Sequence, residues 1–176
     1  MHKRTLASCR CGDVRFEVTG VPIISCLCYC ASCQEAGSRF EQRPNAPAAL
    51  DPDGGTGLLL YRKDRIRCVT GTERLQEYRL TPTSSTRRVL AGCCNSAMFL
   101  EIHKGHWLSM YRNRFSDGVP PVELRTMTKY RRAGVEFTDD IPSYSTYSFI
   151  LMRKLLVAWV AMGFRSPTIS YGKAAA

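Results

Sequence analysis

The stretch Cys28-Tyr29-Cys30-Ala31-Ser32-Cys33 carries three thiols in a C-x-C-x-x-C spacing. Side chains at positions i and i+2 of an extended segment point to the same side, and a two-residue turn brings the third sulfur back toward the first two. Three sulfurs from one short segment can therefore grip one metal ion, and thiolates in this pattern are typical zinc ligands. The fourth tetrahedral position is left for a distant cysteine in a closed structural site, or for water or substrate in a catalytic site.

A second tight pair, Cys9-Arg10-Cys11-Gly12, precedes this motif, and the chain holds nine cysteines in 176 residues. That share is below the roughly 8–10% that marks a disulfide scaffold, and the number is odd. Metal binding by reduced thiols in a cytoplasmic protein therefore fits better than a disulfide framework. The start Met1-His2-Lys3-Arg4 is charged like that of a signal peptide, but cysteines follow where an apolar run should be, so we expect no export.

The chain is basic, with a formal net charge of +10. Seven zinc-bound thiolates and two zinc ions would reduce the charge to about +7. Such an excess is compatible with a nucleic-acid surface, or with compensation of anionic zinc–thiolate centres and an acidic small substrate. The cations are spread along the chain, and we interpret the one dense run, Arg62 to Arg67, as the solvated face of a strand. Nucleic acid is therefore the less favoured partner.

Period-two alternation with Gly and Pro punctuation predicts a mainly β protein of antiparallel strands. The predicted strands cover residues 14–18, 58–61, 65–69, 75–80, 87–91, 98–102, 107–111 and 122–125. Residues 39–57 are predicted to form a long irregular connection. Residues 148–163 have a helical composition with a Ser or Thr cap. The apolar stretch over residues 149–164 is too short and too charged for a membrane span. We expect one domain over residues 1–176.

The ordered cysteine motifs resemble the family of glutathione-dependent formaldehyde-activating enzymes and centromere protein V. The resemblance covers residues 7–102 and runs Cys9-Arg-Cys11-Gly12-Asp-Val14-Arg-Phe16, then Cys28-Tyr-Cys30-Ala-Ser-Cys33, then the Cys93-Cys94 turn. It implies a mostly β, tent-like fold similar to the Mss4 fold. It also implies one or two zinc ions per chain.

The resemblance further implies two kinds of zinc site. Cys28, Cys30 and Cys33 would be the catalytic residues and hold a zinc whose free position accepts the thiol of glutathione or a similar small thiol. The thiol would add to an aldehyde, which is carbon–sulfur lyase chemistry run in the synthetic direction, as in an S-hydroxymethylglutathione synthase. Cys9 and Cys11 would join Cys94, with Cys93 as fourth ligand, in a closed structural site.

The third motif departs from the family pattern C-x-x-C-G, because Ala91 stands where its first cysteine is expected. Cys93 either replaces the missing ligand or points away, since adjacent residues of an extended chain face opposite sides. The competing hypothesis is a non-enzymatic, zinc-stabilised module that binds nucleic acid or a protein partner. A zinc site closed by Cys26 or Cys93 would favour this module.

Four other residues have a possible role in chemistry. We interpret Cys26 as a small buried hydrophobic residue and Cys68 as a residue beside the core. His103 and His106 flank Gly105, and we expect surface or hydrogen-bonded histidines rather than a base or metal ligands.

Overall fold

The computed structural model describes residues 4–169, and within them ten strands and two α-helices. The strands are β1 (Arg4–Ser8), β2 (Arg15–Thr19), β3 (Ile24–Cys28), β4 (Thr56–Arg62), β5 (Ile66–Thr70), β6 (Leu75–Tyr78), β7 (Thr86–Ala91), β8 (Ser96–Ile102), β9 (Trp107–Tyr111) and β10 (Leu124–Thr126). The helices are α1 (Ala31–Glu41) and α2 (Phe149–Val160). Residues 1–3, the start of the segment compared with an export signal, lie outside the described residues, as do residues 170–176 of the expected single domain.

The strands form two sheets. β1, β2 and β5 make a three-stranded sheet in that order, and the other strands make a seven-stranded sheet in the order β10-β3-β4-β9-β8-β7-β6. The prediction of a mainly β protein is confirmed. Neighbouring strands pair antiparallel, except that β10 pairs with β3 in parallel, which the sequence pattern did not indicate.

One face of the seven-stranded sheet packs against the three-stranded sheet. Val18 of β2 and Leu59 and Met110 of the larger sheet belong to the same apolar cluster. The rings of Phe16 and Phe99 cross between the sheets with their centroids 5.5 Å apart in a T-shaped arrangement. This packing is the main core of the described chain.

The two helices cover the opposite face of the seven-stranded sheet. Leu151 and Leu155 of α2 pack against Leu60 and Leu100 of the sheet. Phe40 of α1 belongs to a separate apolar cluster on the same sheet. The candidate site lies on this face, where both helices border one cavity.

The predicted C-terminal helix is confirmed, and its cap is Ser148, whose hydroxyl oxygen accepts a hydrogen bond of 3.1 Å from the Leu151 N–H. Neither described helix has the length and apolar character needed to cross a membrane. The basic run Arg62 to Arg67 was predicted to be the solvated face of a strand, and the structure differs at Lys63. This residue begins a 3-10 turn, and its side chain is buried in an ion pair with Glu101. The predicted irregular connection over residues 39–57 is irregular at residues 42–55, but residues 39–41 belong to α1 and residues 56–57 to β4, so its ends were wrong.

Candidate metal centres

The structure gathers cysteines into two groups, in each of which all the sulfur atoms lie within 4.8 Å of one another. The four-cysteine group consists of Cys9, Cys11, Cys93 and Cys94, and the three-cysteine group of Cys28, Cys30 and Cys33. These are the residues predicted as zinc ligands, and the role of each one as a ligand stays a prediction. Within residues 4–169, Cys26 and Cys68 belong to neither group.

The sulfur positions of the four-cysteine group suit a tetrahedral ion. The Cys11 sulfur lies 3.5 Å from that of Cys9 and 3.3 Å from that of Cys93, and the Cys9 and Cys93 sulfurs are 3.8 Å apart. The Cys93 and Cys94 sulfurs are 4.0 Å apart. Four sulfurs about 2.3 Å from one zinc ion would be separated by about 3.8 Å. The donor set therefore fits zinc, and the sulfurs are too far apart for disulfide bonds, which need about 2.05 Å.

Backbone hydrogen bonds hold Cys9 and Cys11 in a tight turn between β1 and β2. The Cys9 N–H donates to the Val14 carbonyl and the Gly12 N–H donates to the Cys9 carbonyl, each at 3.0 Å. Gly12 has a φ of 83°, a left-handed conformation in which a side chain would be strained. The Val14 N–H also donates to the Cys9 sulfur at 3.3 Å.

Cys93 takes part in the four-cysteine group although it is adjacent to Cys94. The two residues lie in a turn between β7 and β8 rather than in a strand, so the alternation of an extended chain does not apply to them. The turn is closed by the Cys94 N–H, which donates to the Ala91 carbonyl at 3.3 Å, and by Asn95 at a φ of 53°. Ala91 stands where the motif has its first cysteine, and the sulfur of Cys93 takes the place of the missing sulfur in the group.

Within the four-cysteine group, the surroundings of Cys94 favour negative charge, whereas burial and the hydrogen bonds with Cys11 and Cys9 raise the pKa of Cys93 well above its ordinary value. Burial raises the pKa of the Cys94 thiol, but hydrogen bonds from the Ser96 hydroxyl and from backbone N–H groups outweigh burial and lower it to about 6. Burial lowers the pKa of the nearby Arg114 guanidinium, whereas the negative charges of Cys94 and Cys9 oppose that shift. Arg114 is therefore a buried cation that offsets part of the charge of a zinc–thiolate centre.

The three-cysteine group lies where β3 ends and α1 begins. Cys28 is the last residue of β3, Cys30 is the N-cap of α1, and Cys33 lies in its first turn. The N–H groups of Cys33 and Gln34 donate to the Cys30 carbonyl at 3.0 and 3.1 Å. A helix N-terminus favours thiolates, because its free N–H groups and its dipole stabilise negative charge.

The thiols of this group compete for negative charge. Hydrogen bonds from Cys28 and Cys33 lower the pKa of Cys30 to about 2, although burial opposes the shift. The hydrogen bond to Cys30 raises the pKa of Cys28 well above its ordinary value, and the hydrogen bond to Cys33 and burial act in the same direction. The group accepts one thiolate readily, and it needs a cation before all three sulfurs can ionise together.

A cavity of ≈ 310 Å³ opens beside the three-cysteine group, and all three cysteines line it. Its walls are mostly apolar and include Leu58, Leu60 and Leu100 from the sheet and Leu151 and Leu155 from α2. Cys26 also lines this cavity but stands outside both groups, in agreement with its interpretation as a small buried residue. Burial, followed by the charges of Cys33 and Glu123, raises its pKa to about 12.

Arg88 is the cation of this cavity, and the sequence reasoning did not single it out. Its side chain is 1% exposed, and its Nη2 donates to the Ser32 carbonyl at 3.0 Å. Its Nε and Nη1 have no hydrogen-bond acceptor within the described chain. A buried hydrogen-bond donor without an acceptor lowers the free energy of unfolding by about 1–3 kcal/mol. A buried arginine with two such nitrogens therefore indicates a negative partner nearby. The hydrogen bond with Cys28 lowers the pKa of the Cys33 thiol, but the hydrogen bond with Cys30 and burial raise it to about 12, and the charge of Arg88 opposes this rise.

One signal in the sequence points to Arg88. It shares the period-two face of β7 with Leu90, so a strand over residues 87–91 places Arg88 on the same face as this leucine. A buried arginine needs a partner, and this requirement makes such a position a candidate for the site.

The other candidate residues have structural contacts. His103 is exposed, while His106 is buried with its Nε2 2.9 Å from the Leu155 carbonyl oxygen, as expected of a hydrogen-bonded histidine. The Cys68 thiol donates to the Thr70 carbonyl at 3.3 Å and packs at the edge of the main core. None of the three belongs to a metal-binding group within residues 4–169.

Comparison with known proteins agrees with the motifs. The family model described as glutathione-dependent formaldehyde-activating enzyme matches residues 4–48, which include the Cys9–Cys11 pair and the three-cysteine group. This match confirms the predicted family resemblance, and the third motif lies outside the matched residues. Among curated proteins, none matches the chain. A solved crystal structure of a Rhodobacter sphaeroides protein is similar at a TM-score of 0.47 and 18% identity, covering 66% of this chain and 91% of that chain.

Proposed function

We propose that this chain, a diverged member of the glutathione-dependent formaldehyde-activating enzyme family by the match of residues 4–48, binds zinc at Cys28, Cys30 and Cys33 and joins a glutathione-type thiol to an aldehyde there. The observation that carries this proposal is the difference between the two cysteine groups. The four-cysteine group supplies a complete tetrahedral set, whereas the three-cysteine group leaves one position and opens on a cavity.

The reaction is an addition without oxidation or reduction. The sulfur of the thiol forms a bond to the carbonyl carbon of the aldehyde, the carbon–oxygen π bond breaks, and the proton of the thiol ends on the carbonyl oxygen. Zinc, when bound, supplies positive charge that lowers the pKa of an incoming thiol and holds its thiolate.

The residues of the chain prepare this site in three ways. Cys28, Cys30 and Cys33 provide soft thiolate donors, which select zinc over harder ions such as magnesium. Three thiolates leave a dipositive ion with a net charge of about −1, and a fourth makes it about −2, which the buried Arg88 offsets in part. The apolar walls of the cavity exclude water and strengthen these charge interactions.

The rest of the proposal concerns the four-cysteine group and the whole chain. We propose that Cys9, Cys11, Cys93 and Cys94 hold a second zinc in a closed structural site. Residues 1–176 would then form one zinc-binding domain that works in the cytoplasm, where thiols stay reduced.

The test uses cobalt-substituted protein, because a new thiolate ligand alters the ligand-to-metal absorption. Glutathione should change the spectrum, whereas S-methylglutathione, which cannot form a thiolate, should not. Cys30→Ser should lose the response and one metal equivalent. Cys26→Ser is the matched control, since Cys26 lines the same cavity outside the group, and it should keep both.

A different result would favour the binding module. If glutathione leaves the cobalt spectrum unchanged, while duplex DNA binds with an affinity that falls steeply with salt, zinc has only a structural role. The salt dependence would then report the release of counterions from phosphates by the basic surface.

A further inference from the structure

We infer that the cavity beside the three-cysteine group receives a hydrocarbon chain of the reacting ligand, so that the substrates are adducts of a thiol with aldehydes longer than formaldehyde. This inference rests on the proposed function of the three-cysteine group. It concerns the part of the ligand next to the reacting sulfur, where it departs from the formaldehyde named in the description of the matched family.

The size of the cavity exceeds the needs of a one-carbon substrate. Its volume of ≈ 310 Å³ lies at the lower end of the range of about 300–1,000 Å³ found for small-molecule sites. A hydroxymethyl group would fill only a small part of this space. An apolar cavity left unfilled gives up contacts with its walls, so a longer chain would bind better.

The lining of the cavity is suited to hydrocarbon. Leu58 and Leu60 of β4, Leu100 of β8 and Trp107 of β9 form the sheet side, because alternate residues of neighbouring strands share a face. Leu155 of α2 lies opposite. Burial of each methylene against such side chains is favourable without any directional contact.

The charges of glutathione do not suit the same walls. Its tripeptide carries two carboxylates and one ammonium group, whereas Arg88 is the one cation that lines this cavity within the described chain. The unpaired Nε and Nη1 of Arg88 face a single negative partner at most, and the proposed function assigns its charge to the zinc–thiolate centre. A carboxylate buried against leucines without a partner would be strongly disfavoured. The charged ends of glutathione therefore remain outside, and the hydrocarbon belongs to the aldehyde.

The mouth of the cavity is also apolar. Ile102, Tyr147 and Met152 line it and are exposed to solvent, with 51% of Met152 accessible. These residues would contact the far end of a chain that starts at the reacting sulfur. Met152 can be replaced with little effect on folding, because exposed positions tolerate substitution.

The experiment measures how the affinity of zinc-loaded protein depends on chain length. Glutathione is kept in excess, formaldehyde, propanal or hexanal is titrated, and the emission of Trp107 in the cavity wall is followed with Trp107→Phe as the blank. Each added methylene should tighten binding about fourfold until the cavity is filled. A second arm titrates ethanethiol, butanethiol and hexanethiol without aldehyde, and tests whether the chain comes from the thiol instead.

A pair of variants on α2 locates the chain. Met152→Lys places a charge at the mouth and should weaken hexanal binding at least tenfold, while formaldehyde binding changes less than twofold. Leu156→Lys is the matched control, since Leu156 is exposed on the same helix but does not line the cavity, and it should leave both affinities unchanged. Thermal unfolding of both variants checks that the fold is intact.

The outcomes separate this inference from the proposed function. A chain-length dependence for aldehydes that Met152→Lys removes supports the inference as stated, and a dependence only in the alkanethiol arm overturns its assignment to the aldehyde. Equal affinity for all chain lengths, with the cobalt spectrum still responding to glutathione, overturns the inference and leaves the proposed function standing. No response to any thiol overturns both.

Discussion

At the scale of single residues, the four-cysteine group shows how a cysteine can be moved along the chain. Ala91 is fully buried as the last residue of β7 and pairs with Ser96 across the ladder, so this position belongs to the core. Cys93 lies two residues after Ala91, in a turn of the backbone that directs its side chain toward Cys9 and Cys11. A cysteine missing from a sequence motif can therefore be replaced by a neighbouring cysteine when the backbone forms a turn at that point.

The first prediction concerns the structural role of Cys11. Cys11→Ser should lower the thermal midpoint by roughly 10 °C or more, because loss of a structural zinc removes binding energy that also stabilises the fold. Cys68→Ser is the matched control, since its hydroxyl can keep the hydrogen bond to the Thr70 carbonyl, and it should shift the midpoint by only a few degrees, about 1 kcal/mol or less. Calorimetry of both variants with zinc analysis checks the comparison, and equal losses would count against a zinc site at Cys11.

At the scale of elements, α2 depends on a small number of polar contacts with the sheet. Many of its large apolar side chains are exposed, and Leu151 and Leu155 are the leucines that it buries. His106, next to β9, donates a hydrogen bond from its Nε2 to the Leu155 carbonyl oxygen and stacks on Trp159 with 5.9 Å between ring centroids. Because α2 forms one wall of the cavity, this contact also supports the candidate site.

The second prediction is a loss of stability in acid that depends on His106. Burial lowers the pKa of His106 below its ordinary 6.5, and the charges of Lys63 and Arg62 act in the same direction against the hydrogen bond to Leu155. Above pH 6.5 the imidazole is neutral in both the folded and unfolded states. As the pH falls below 6.5 the unfolded chain binds the proton more readily, so the free energy of unfolding decreases until the folded pKa is passed.

Matched histidine variants test this assignment. Denaturant unfolding between pH 7.5 and 5.5 should show a smaller acid loss for His106→Gln than for the wild type, since glutamine can donate to the Leu155 carbonyl without titrating. His103→Gln should behave as the wild type, because His103 is exposed. Identical pH profiles for all three proteins would assign the acid loss to other groups.

At the scale of the whole molecule, the four-cysteine group joins the two sheets. Cys9 and Cys11 belong to the turn between β1 and β2 of the smaller sheet, whereas Cys93 and Cys94 belong to the turn between β7 and β8 of the larger one. The Arg10 N–H also donates to the Ser96 hydroxyl at 3.0 Å between the same turns. One metal ion here would connect residues more than eighty positions apart in the chain.

The third prediction is that zinc removal loosens one sheet before the other. Hydrogen exchange of metal-free protein should show faster exchange in β1, β2 and β5, with protection kept in β4 and β9, because the smaller sheet loses its link at the four-cysteine group. Zinc-loaded Cys30→Ser is the control and should keep protection in β1 and β2, since it retains the four-cysteine group. Equal loss in both sheets, or no loss in either, would contradict the link.

The sequence by itself determined the local features of this protein. The C-x-C-x-x-C spacing places three sulfurs together because only a strand end and the first turn of a helix separate them, and alternation located most strands. The composition of α2 and its Ser148 cap defined the C-terminal helix. α1 was missed, because its glycine and serines weaken the helical signal and its buried face, which includes Gly37 against Leu50, is clear only when folded.

The tertiary structure alone decided the features that depend on distant parts of the chain. The parallel pairing of β10 with β3, the burial of Lys63 against Glu101 and the inclusion of Cys93 in a cysteine group each join residues far apart in sequence. The same holds for Arg88, whose position beside Cys33 follows from the packing of α1 on the sheet. Sequence spacing fixes geometry only over a few residues, whereas contacts between distant segments are chosen by burial and charge in the folded chain.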